Sequence, residues 1–437
     1  MFFTRRFYLL GMLAVLLFVL SYFFKILQAP ALIWFMLVSL ATLLDYVLLF
    51  FTGKPFSAQR MVPNRMSNGD SNEIHITLTS PYPFATTVSV IDELPPQLQT
   101  RDFVLQRHLP ARAYRKWHYL LTPTERGEYH FGAMHFYFSS MLGMLNRQWT
   151  MPLHHAVSVY PSFVQMKKYQ LVSQTTFVQE QGSQRMRKIG HSLEFEQIKD
   201  YVSGDDIRAI NWKATARRGQ LMVNNYVDER SQQIFCIIDK GRLMKMPFNG
   251  LSLLDYAINA VLALSNVCLQ KQDRVGLISF STRLNTLLAA DRKPLQRENI
   301  MEALYKEQTA FQESDYEMLY MQVRHKVKQR SLLMLFTNFE TLGGLKRQLP
   351  YLRSIARHHL LMLVFFENTE LNSLAAADVN NVEDVYTKTI AEKMVFEKKA
   401  IVKELQKYGI LSVLAKPQEL TITAINKYLE LKARQAV

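Results

Sequence analysis

The adjacent carboxylates Asp205 and Asp206 are the residues of this sequence whose types and spacing come closest to a catalytic pair. Two carboxylates can serve hydrolysis or phosphoryl transfer as general acid and general base. However, neighbouring residues of a helix point in different directions, so a metal ion shared by this pair is awkward. The sequence also has no Gly-rich phosphate loop, nucleophile elbow or HExxH pair. We therefore expect no enzyme activity, and a hydrolase or phosphoryl-transfer enzyme that uses Asp205 and Asp206 is the alternative hypothesis.

The residues around these acids predict how they are positioned. Ser203-Gly204 predicts the end of one element, and Asp205-Asp206 then open a helix, where two acids complement the positive end of the helix dipole. Ile207, Ile210 and Ala214 form the apolar stripe of this predicted helix. Arg217-Arg218 suit its last turn, because cations are favourable at the negative end of the dipole.

The same segment resembles the signature of the bacterial family called "domain of unknown function fifty-eight". The pattern is Glu-Phe followed by Tyr-x-x-Gly-Asp-Asp-x-Arg-x-Ile-x-Trp-Lys-Ala-x-Ala-Arg. The matching residues, which are our candidates for partner docking, are Glu194, Phe195, Tyr201, Gly204, Asp205, Asp206, Arg208, Trp212, Lys213 and Arg217. The resemblance implies a von Willebrand factor A-like domain and a MoxR-type AAA+ ATPase as partner, in chaperone-like maturation or a stress response. The family that it resembles has no agreed enzymatic activity.

The C-terminal part, residues 231–437, alternates apolar runs with helical patterns. Uninterrupted apolar runs are typical of strands that are buried on both faces of a parallel sheet. The predicted strands are Ile234–Asp239, Arg274–Phe280, Leu332–Phe336, Leu360–Phe366 and Ile410–Leu414. Strands that alternate with helices predict a doubly wound α/β domain, which binds its ligands at the carboxyl ends of the strands.

The carboxyl edge of that sheet resembles a degenerate metal site. In von Willebrand A domains, an Asp-x-Ser-x-Ser motif and a later Asp hold a divalent cation at this edge. Here Asp239 keeps the first position, but Gly241 and Leu243 replace the two hydroxyls and Asn338 replaces the later Asp. We therefore expect no cofactor and no metal ion, with Mg²⁺ the ion to test. Asp239 is expected to orient the strand-end loop through backbone or Arg contacts.

Residues 56–163 show the period-two alternation of half-buried strands. Ile74, Ile76 and Leu78 share one face of the run Glu73–Ser80. The other predicted strands are Thr86–Asp92, Ala113–Leu121, Glu128–Phe138 and Ala156–Tyr160. Several short strands at this spacing predict a β-sandwich-like domain, with residues 164–230 as the linker and signature segment.

The first 55 residues predict a transmembrane helical hairpin. Residues 7–24 and 31–51 are apolar runs, and a helix needs about 20 residues to cross the hydrocarbon layer. Arg5, Arg6 and Lys54 flank the pair, so the positive-inside rule places both flanks and the following domains in the cytoplasm, at a bacterial inner membrane. A cleaved signal peptide is the alternative. Asp45 is the one charge inside the second run, and we expect it near the headgroups, paired with Lys54 or a neighbouring chain.

Overall, the sequence predicts an α+β multidomain chain of 437 residues. The net charge is 52 − 37 = +15, which favours anionic partners. The basic residues are spread along the chain without a recognition motif, so we expect no nucleic acid as partner. The expected partners are the lipid bilayer and an acidic protein surface. The two cysteines, Cys236 and Cys268, lie in apolar runs and exclude a disulfide scaffold.

Overall fold

The computed structural model describes residues 1–51, 56–100, 103–162, 193–202, 207–228, 232–309, 311–378 and 381–434. The chain divides into two compact units, residues 1–162 and 163–437.

Two apolar helices begin the first unit, as the sequence predicts. Helix α1 is Arg5–Phe23 and α2 is Gln28–Phe51, and the short 3₁₀ turn Lys25–Leu27 joins them. At 1.5 Å per residue they are about 28 and 36 Å long, enough to span a hydrocarbon layer of ~30 Å. Both meet the length and hydropathy expected of a membrane span. A third helix, Leu253–Gln270, meets them too, but it is buried inside the second unit.

The remainder of the first unit is built from strands. Their bounds are β1 Phe2–Phe3, β2 Ser57–Met61, β3 Arg65–Ser67, β4 Asn72–Thr79, β5 Thr86–Asp92, β6 Val104–Leu109, β7 Tyr114–Leu121, β8 Gly127–Phe131, β9 Met134–Ser139, β10 Leu145–Met151 and β11 His155–Tyr160. They form three sheets, in the orders β1-β10-β9-β5-β6, β2-β4-β7 and β3-β11-β8. The inward faces of all three contribute to one apolar core, which Leu49 of α2 joins.

The predicted single strand Glu128–Phe138 is wrong, because the structure divides it into β8 and β9. The turn between them lies against Glu93: a Cβ atom added at Gly132 would approach the Glu93 carboxylate to 2.3 Å. The N–H of Ala133 donates to that carboxylate at 2.8 Å. A larger residue at Gly132 would displace the Glu93 side chain from this turn.

The second unit opens with a hairpin that carries the signature segment. Strand β12 (Leu193–Asp200) pairs antiparallel with β13 (Met222–Asp228), and helix α3 is Trp212–Arg218. The predicted helix from Asp205 is wrong: Ile207–Ala209 is a 3₁₀ turn, and α3 begins only at Trp212. Asn211 sets this start, because its side chain accepts the N–H of Ala214 at 3.0 Å as an N-cap.

An α/β sheet follows. Its strands are β14 Gln233–Asp239, β17 Arg274–Phe280, β18 Leu284–Asp291, β19 Leu332–Phe336, β20 Leu360–Phe366 and β21 Leu411–Ala415. A separate small hairpin of β15 Pro247–Phe248 and β16 Leu251–Ser252 lies between β14 and β17 along the chain. The order is β18-β17-β14-β19-β20-β21. All pairings in this sheet are parallel except that of the edge strand β18. The helices are α4 Leu253–Gln270, α5 Leu295–Tyr305, α6 Tyr316–Lys326, α7 Leu342–Ala356, α8 Thr369–Ala376, α9 Val382–Lys407 and α10 Leu420–Ala433.

Candidate functional site

The carboxyl ends of β14 and β19 form the switch point of the α/β sheet. The two strands are paired in parallel, with Ile238 opposite Phe336, so the residues that follow them lie side by side. From β14 the chain continues to β17 on one side, and from β19 to β20 on the other. Ligands of open α/β sheets bind where the strand order reverses in this way. A cavity of about 160 Å³ opens there, and Asp239 and Asn338 line it.

Asp239 is the centre of a dense hydrogen-bond network at this edge, and only 5% of its surface is exposed. Its Oδ1 accepts the N–H of Gly241 at 2.8 Å and the hydroxyl of Ser314. Its Oδ2 accepts the hydroxyl of Thr337 at 2.7 Å. The Tyr316 hydroxyl lies 3.0 Å from Oδ2 and 2.6 Å from Thr337 Oγ1, so its single proton serves one of the two.

The pKa of Tyr316 is raised well above its ordinary value, first by burial and then by the charge of Asp239. The tyrosine therefore stays protonated and stays a donor. The carboxylate thus orients the strand-end loop through a backbone N–H and the hydroxyls of Ser314 and Thr337, with the Tyr316 hydroxyl beside them, rather than through an arginine. Sequence reasoning missed Ser314, Tyr316 and Thr337, which lie about 75 to 98 positions from Asp239 along the chain.

The arrangement does not fit a divalent cation. Mg²⁺ needs several oxygen ligands with free lone pairs, but here protein donors already occupy the Asp239 carboxylate. A Cβ atom at Gly241 would lie 2.2 Å from Ser314 Oγ, so Ser314 fills the place of a side chain at that position. The amide oxygen of Asn338 accepts the Lys398 ammonium at 2.6 Å. In the described part of the chain, no three His, Cys, Asp or Glu side chains form a group that could hold a metal ion.

The two basic residues after Asp239, Lys240 and Arg242, differ in burial and in ion pairing. Lys240 is 8% exposed and its ammonium pairs with Glu307, which is 3% exposed. Glu307 also accepts the hydroxyls of Ser279 at 2.5 Å and Thr286 at 2.6 Å. The charge of Lys240 is therefore neutralised inside the domain, while Arg242 stays exposed beside Glu313 at 3.6 Å. The remaining predicted residue of the edge, Leu243, lines the cavity with an apolar side chain.

A second cavity of about 300 Å³ adjoins this edge and is lined mainly by apolar side chains. Lys398 of α9 projects into it, and its ammonium lies 5.9 Å from the centre of the Phe365 ring. Burial lowers the pKa of Lys398 to about 8, although the charge of Glu340 acts in the opposite direction. Glu367 and Glu370 also line this cavity. Sequence reasoning had no signal for Lys398, because one lysine among many on a helix looks like a solvated residue.

We expect Lys398 to react with a small acylating reagent as a neutral amine at moderately alkaline pH. A pKa of about 8 leaves half of its amine neutral at pH 8, against roughly 0.4% for an unperturbed lysine. Peptide mass spectrometry of the full chain, labelled between pH 6 and 10, should show half-maximal labelling of Lys398 near pH 8. Glu340→Gln should lower that midpoint, because the variant removes a charge that favours the ammonium. A labelling rate that keeps rising tenfold per pH unit above pH 9 would contradict the assignment.

Deprotonation of Lys398 should also make the free energy of unfolding depend on pH. Between about pH 8 and pH 10.5 the unfolded chain keeps a proton that folded Lys398 has released. The free energy of unfolding therefore rises with pH across this window.

The signature residues lie on the hairpin module of β12, β13 and α3. Gly204, Asp205 and Asp206 fall outside the described residues, as do the side chains of Glu194, Phe195 and Arg208. The catalytic alternative for Asp205 and Asp206 therefore stays a hypothesis. Among the described signature residues, Tyr201 is half-buried and its N–H donates to the carbonyl of Leu221 at 2.8 Å.

We define the signature surface as the exposed side chains of this module. Its apolar members are Ile198, Val202, Ile207, Trp212 and Leu221, and its basic members are Lys213, Arg217 and Arg218. Trp212 is 68% exposed and Ile207 is 70% exposed. The first two basic residues belong to the predicted signature, and the charge of Arg218 is 3.9 Å from the exposed Asp200.

Asp45 forms a second polar centre, in the first unit. The carboxylate is fully buried and accepts the hydroxyl of Ser140 and the N–H groups of Met144 and Leu145, both at 2.8 Å. These contacts join α2 to the turn between β9 and β10. Lys54 falls outside the described residues, so the expected pairing of Asp45 with Lys54 or a neighbouring chain stays a prediction. Arg147 supports the same contact, because its guanidinium donates to the carbonyl of Leu49 at 2.6 Å, near the end of α2.

Comparison with known proteins finds relatives of the second unit. Residues 197–405 match the family described as "Protein of unknown function DUF58". Residues 197–405 therefore form a DUF58-family region within the second unit. It is also 27% identical over 216 residues to "Uncharacterized protein YeaD" of Bacillus subtilis (strain 168), which covers 47% of this chain and 54% of the relative. The chain thus spans about half the length of the curated relative it matches. The family resemblance drawn from the signature is confirmed.

Solved structures show weaker similarity to this chain. A conserved hypothetical protein, BatB, from Bacteroides thetaiotaomicron aligns with a TM-score of 0.31 and 12% identity, over 47% of this chain and all of that chain (100%). A CARDB domain from Pyrococcus furiosus, in complex with di-metal ions, aligns with a TM-score of 0.18 and 15% identity, over 25% of this chain and 96% of that chain. These scores are too low to carry a structural argument.

Proposed function

We propose that this DUF58 protein is a membrane-anchored docking protein without enzymatic activity. Its soluble parts lie in the cytoplasm at a bacterial inner membrane, and its signature surface binds an acidic surface of a protein partner. The observation that carries the proposal is the exposed Trp212 on a basic module. Tryptophan and arginine are the residue types most enriched among the energetic centres of protein interfaces.

The anchoring proposal rests on α1 and α2. Both helices present apolar side chains outward over most of their length, as a lipid-facing helix must. Arg5 and Arg6 begin α1, before its apolar part, and Arg60 and Arg65 follow α2 in the sequence. An excess of basic residues on both flanks favours a cytoplasmic location for each.

The partner is inferred from the family resemblance and from charge. The signature resembles proteins found beside MoxR-type AAA+ ATPases, so we propose such an ATPase, in chaperone-like maturation or a stress response. Lys213, Arg217 and Arg218 suit an acidic surface, because complementary charge speeds association and suppresses wrong partners. The strand order with one antiparallel edge strand supports a von Willebrand A-like fold for the α/β domain. Docking would then occur without a metal ion, because Asp239 is occupied by protein donors.

Trp212→Ala should weaken ATPase binding by about 30-fold or more, the effect of losing a central interface residue worth about 2 kcal/mol. The measurement is binding of the purified full chain, in detergent, to the MoxR-type ATPase of the same organism, held with a nucleotide analogue. Lys213→Glu should weaken binding too, and the loss should shrink at high salt.

Tyr386→Ala is the matched control, because Tyr386 is an equally exposed aromatic residue (70%) on α9 of the same unit. It should leave binding unchanged. Binding that survives Trp212→Ala, or that fails equally in the Tyr386 variant, would contradict docking through the signature surface. No binding by the wild-type chain would contradict the ATPase as partner.

A further inference from the structure

An open groove of about 540 Å³ lies at the start of α1, within the first unit. One wall is the beginning of the helix, with Arg5 and Arg6. The opposite wall is the outward face of the sheet that contains β5, β6, β9 and β10. Its polar side chains include Thr87, Ser89, Gln106, His108, Tyr137 and Asn146.

The charge and hydrogen-bond donors of this groove suit an anion. No aspartate or glutamate lines it, and within the described ranges neither Arg5 nor Arg6 forms an ion pair with a carboxylate. The first turn of α1 contains no acidic residue. Its first N–H groups have no acceptor within the helix, although that of Phe7 donates to the Thr4 hydroxyl oxygen at 3.4 Å. The helix dipole adds positive potential at the same end. Hydroxyl and amide groups of the sheet face supply further donors on the other side.

The groove opens at the level where the apolar helices begin. Arg5 and Arg6 directly precede the apolar part of α1, and the turn after β9 is bound to Asp45 of α2. That turn carries exposed apolar side chains at its tip, Met141 at 75% and Leu142 at 40%. Met141 also lines the groove. A polar groove with two arginines therefore lies directly beside exposed apolar side chains.

We propose that this groove binds the phosphate of an anionic phospholipid headgroup. Arg5 and Arg6 contact the phosphate oxygens, the sheet hydroxyls and amides contact the headgroup, and Met141 and Leu142 lie against the acyl region. Charge-assisted bonds from arginine are the strongest contacts that a protein offers to phosphate. The proposal rests on the membrane anchoring proposed above and assigns the lipid class that the anchored chain recognises.

The test is lipid binding by the purified full chain in a non-ionic detergent, measured by native mass spectrometry. We expect phosphatidylglycerol to bind more tightly than phosphatidylcholine. The double variant Arg5→Gln/Arg6→Gln should weaken phosphatidylglycerol binding about 25-fold, from about fivefold for each basic residue at a membrane surface. Ser89→Glu should also weaken it, by placing a negative charge in the groove while leaving both arginines in place.

The matched control is Arg107→Gln/Arg115→Gln, which removes the same charge from exposed strand positions outside the groove. It should leave lipid binding unchanged. Equal losses in this control, or no preference for phosphatidylglycerol, would overturn the proposal. Displacement of the lipid by millimolar inorganic phosphate, with the same dependence on Arg5 and Arg6, would assign the groove to free phosphate instead and overturn the lipid assignment. Binding of the ATPase through Trp212 is measured separately, so failure here does not coincide with failure of the docking proposal.

Discussion

Asp45→Ala is expected to loosen the turn between β9 and β10 from helix α2. The carboxylate is the acceptor for one hydroxyl and two backbone N–H groups, all from that turn. A hydrogen bond to a charged group contributes about 1.5–3 kcal/mol, and a buried donor left without its acceptor costs a similar amount. We expect a local loss of about 3 kcal/mol, which corresponds to a roughly 150-fold larger equilibrium constant for local opening.

Hydrogen–deuterium exchange of the full chain in detergent measures this opening directly. Peptides that contain Met144 and Leu145 should exchange faster in Asp45→Ala, and by a smaller factor in Asp45→Asn, whose amide oxygen can still accept. Thr42→Ala is the matched control, because the Thr42 hydroxyl donates only to its own helix, to the carbonyl of Val38 at 2.7 Å. Unchanged protection at Met144 and Leu145 in Asp45→Ala would show that the turn does not depend on α2.

The sequence could locate Asp45 but not its partner. The helix containing it was predictable from composition, because about 20 consecutive apolar residues suffice for that inference. Its acceptor role depends on Ser140 and Met144, which lie 95 to 99 positions away in a turn without charge. A contact of this kind follows from how β9 and β10 pair, and no local pattern encodes that pairing.

The α/β strands were predictable to within about a residue, because buried parallel strands are continuous apolar runs. Arg274–Phe280, Leu332–Phe336 and Leu360–Phe366 were predicted with the bounds that the structure has. The edge strand β18 was missed, because it is half-exposed and its sequence is neither a continuous apolar run nor a regular alternation of polar and apolar residues. The short helix Thr369–Ala376 was missed too, since eight residues carry too little periodicity.

The site was harder to predict from the sequence than the fold, for a physical reason. Asp239 could be placed at the edge of the sheet, since a strand end fixes its position. Its donors could not, because Ser314 and Tyr316 come from the segment around the start of α6 and Thr337 from the end of β19. The start of the signature helix was mispredicted because Asn211 caps it, with its side-chain oxygen accepting the N–H of Ala214.

Asp239→Ala should be the most destabilising single change in the α/β domain. It removes the acceptor of the Gly241 N–H and of the Thr337 hydroxyl, which are buried, and of the hydroxyl of the half-buried Ser314. Removing one partner of a buried charged network costs about 3–5 kcal/mol. For a domain of this size that lowers the melting temperature by roughly 10 °C. Thermal unfolding of the full chain in detergent measures it, and Asp291→Ala, at an exposed end of β18, should change the melting temperature little.

Adding Mg²⁺ tests whether the Asp239 carboxylate is a structural acceptor or a metal ligand. If protein donors occupy Asp239, adding millimolar Mg²⁺ should leave the melting temperature of the wild-type chain unchanged, because a ligand stabilises only the state that binds it. Gly241→Ser should not create Mg²⁺ dependence, since a side chain there collides with Ser314. A Mg²⁺-dependent rise in the wild type that disappears in Asp239→Ala would contradict this account, because the carboxylate would then have to exchange its hydroxyl donors for the cation.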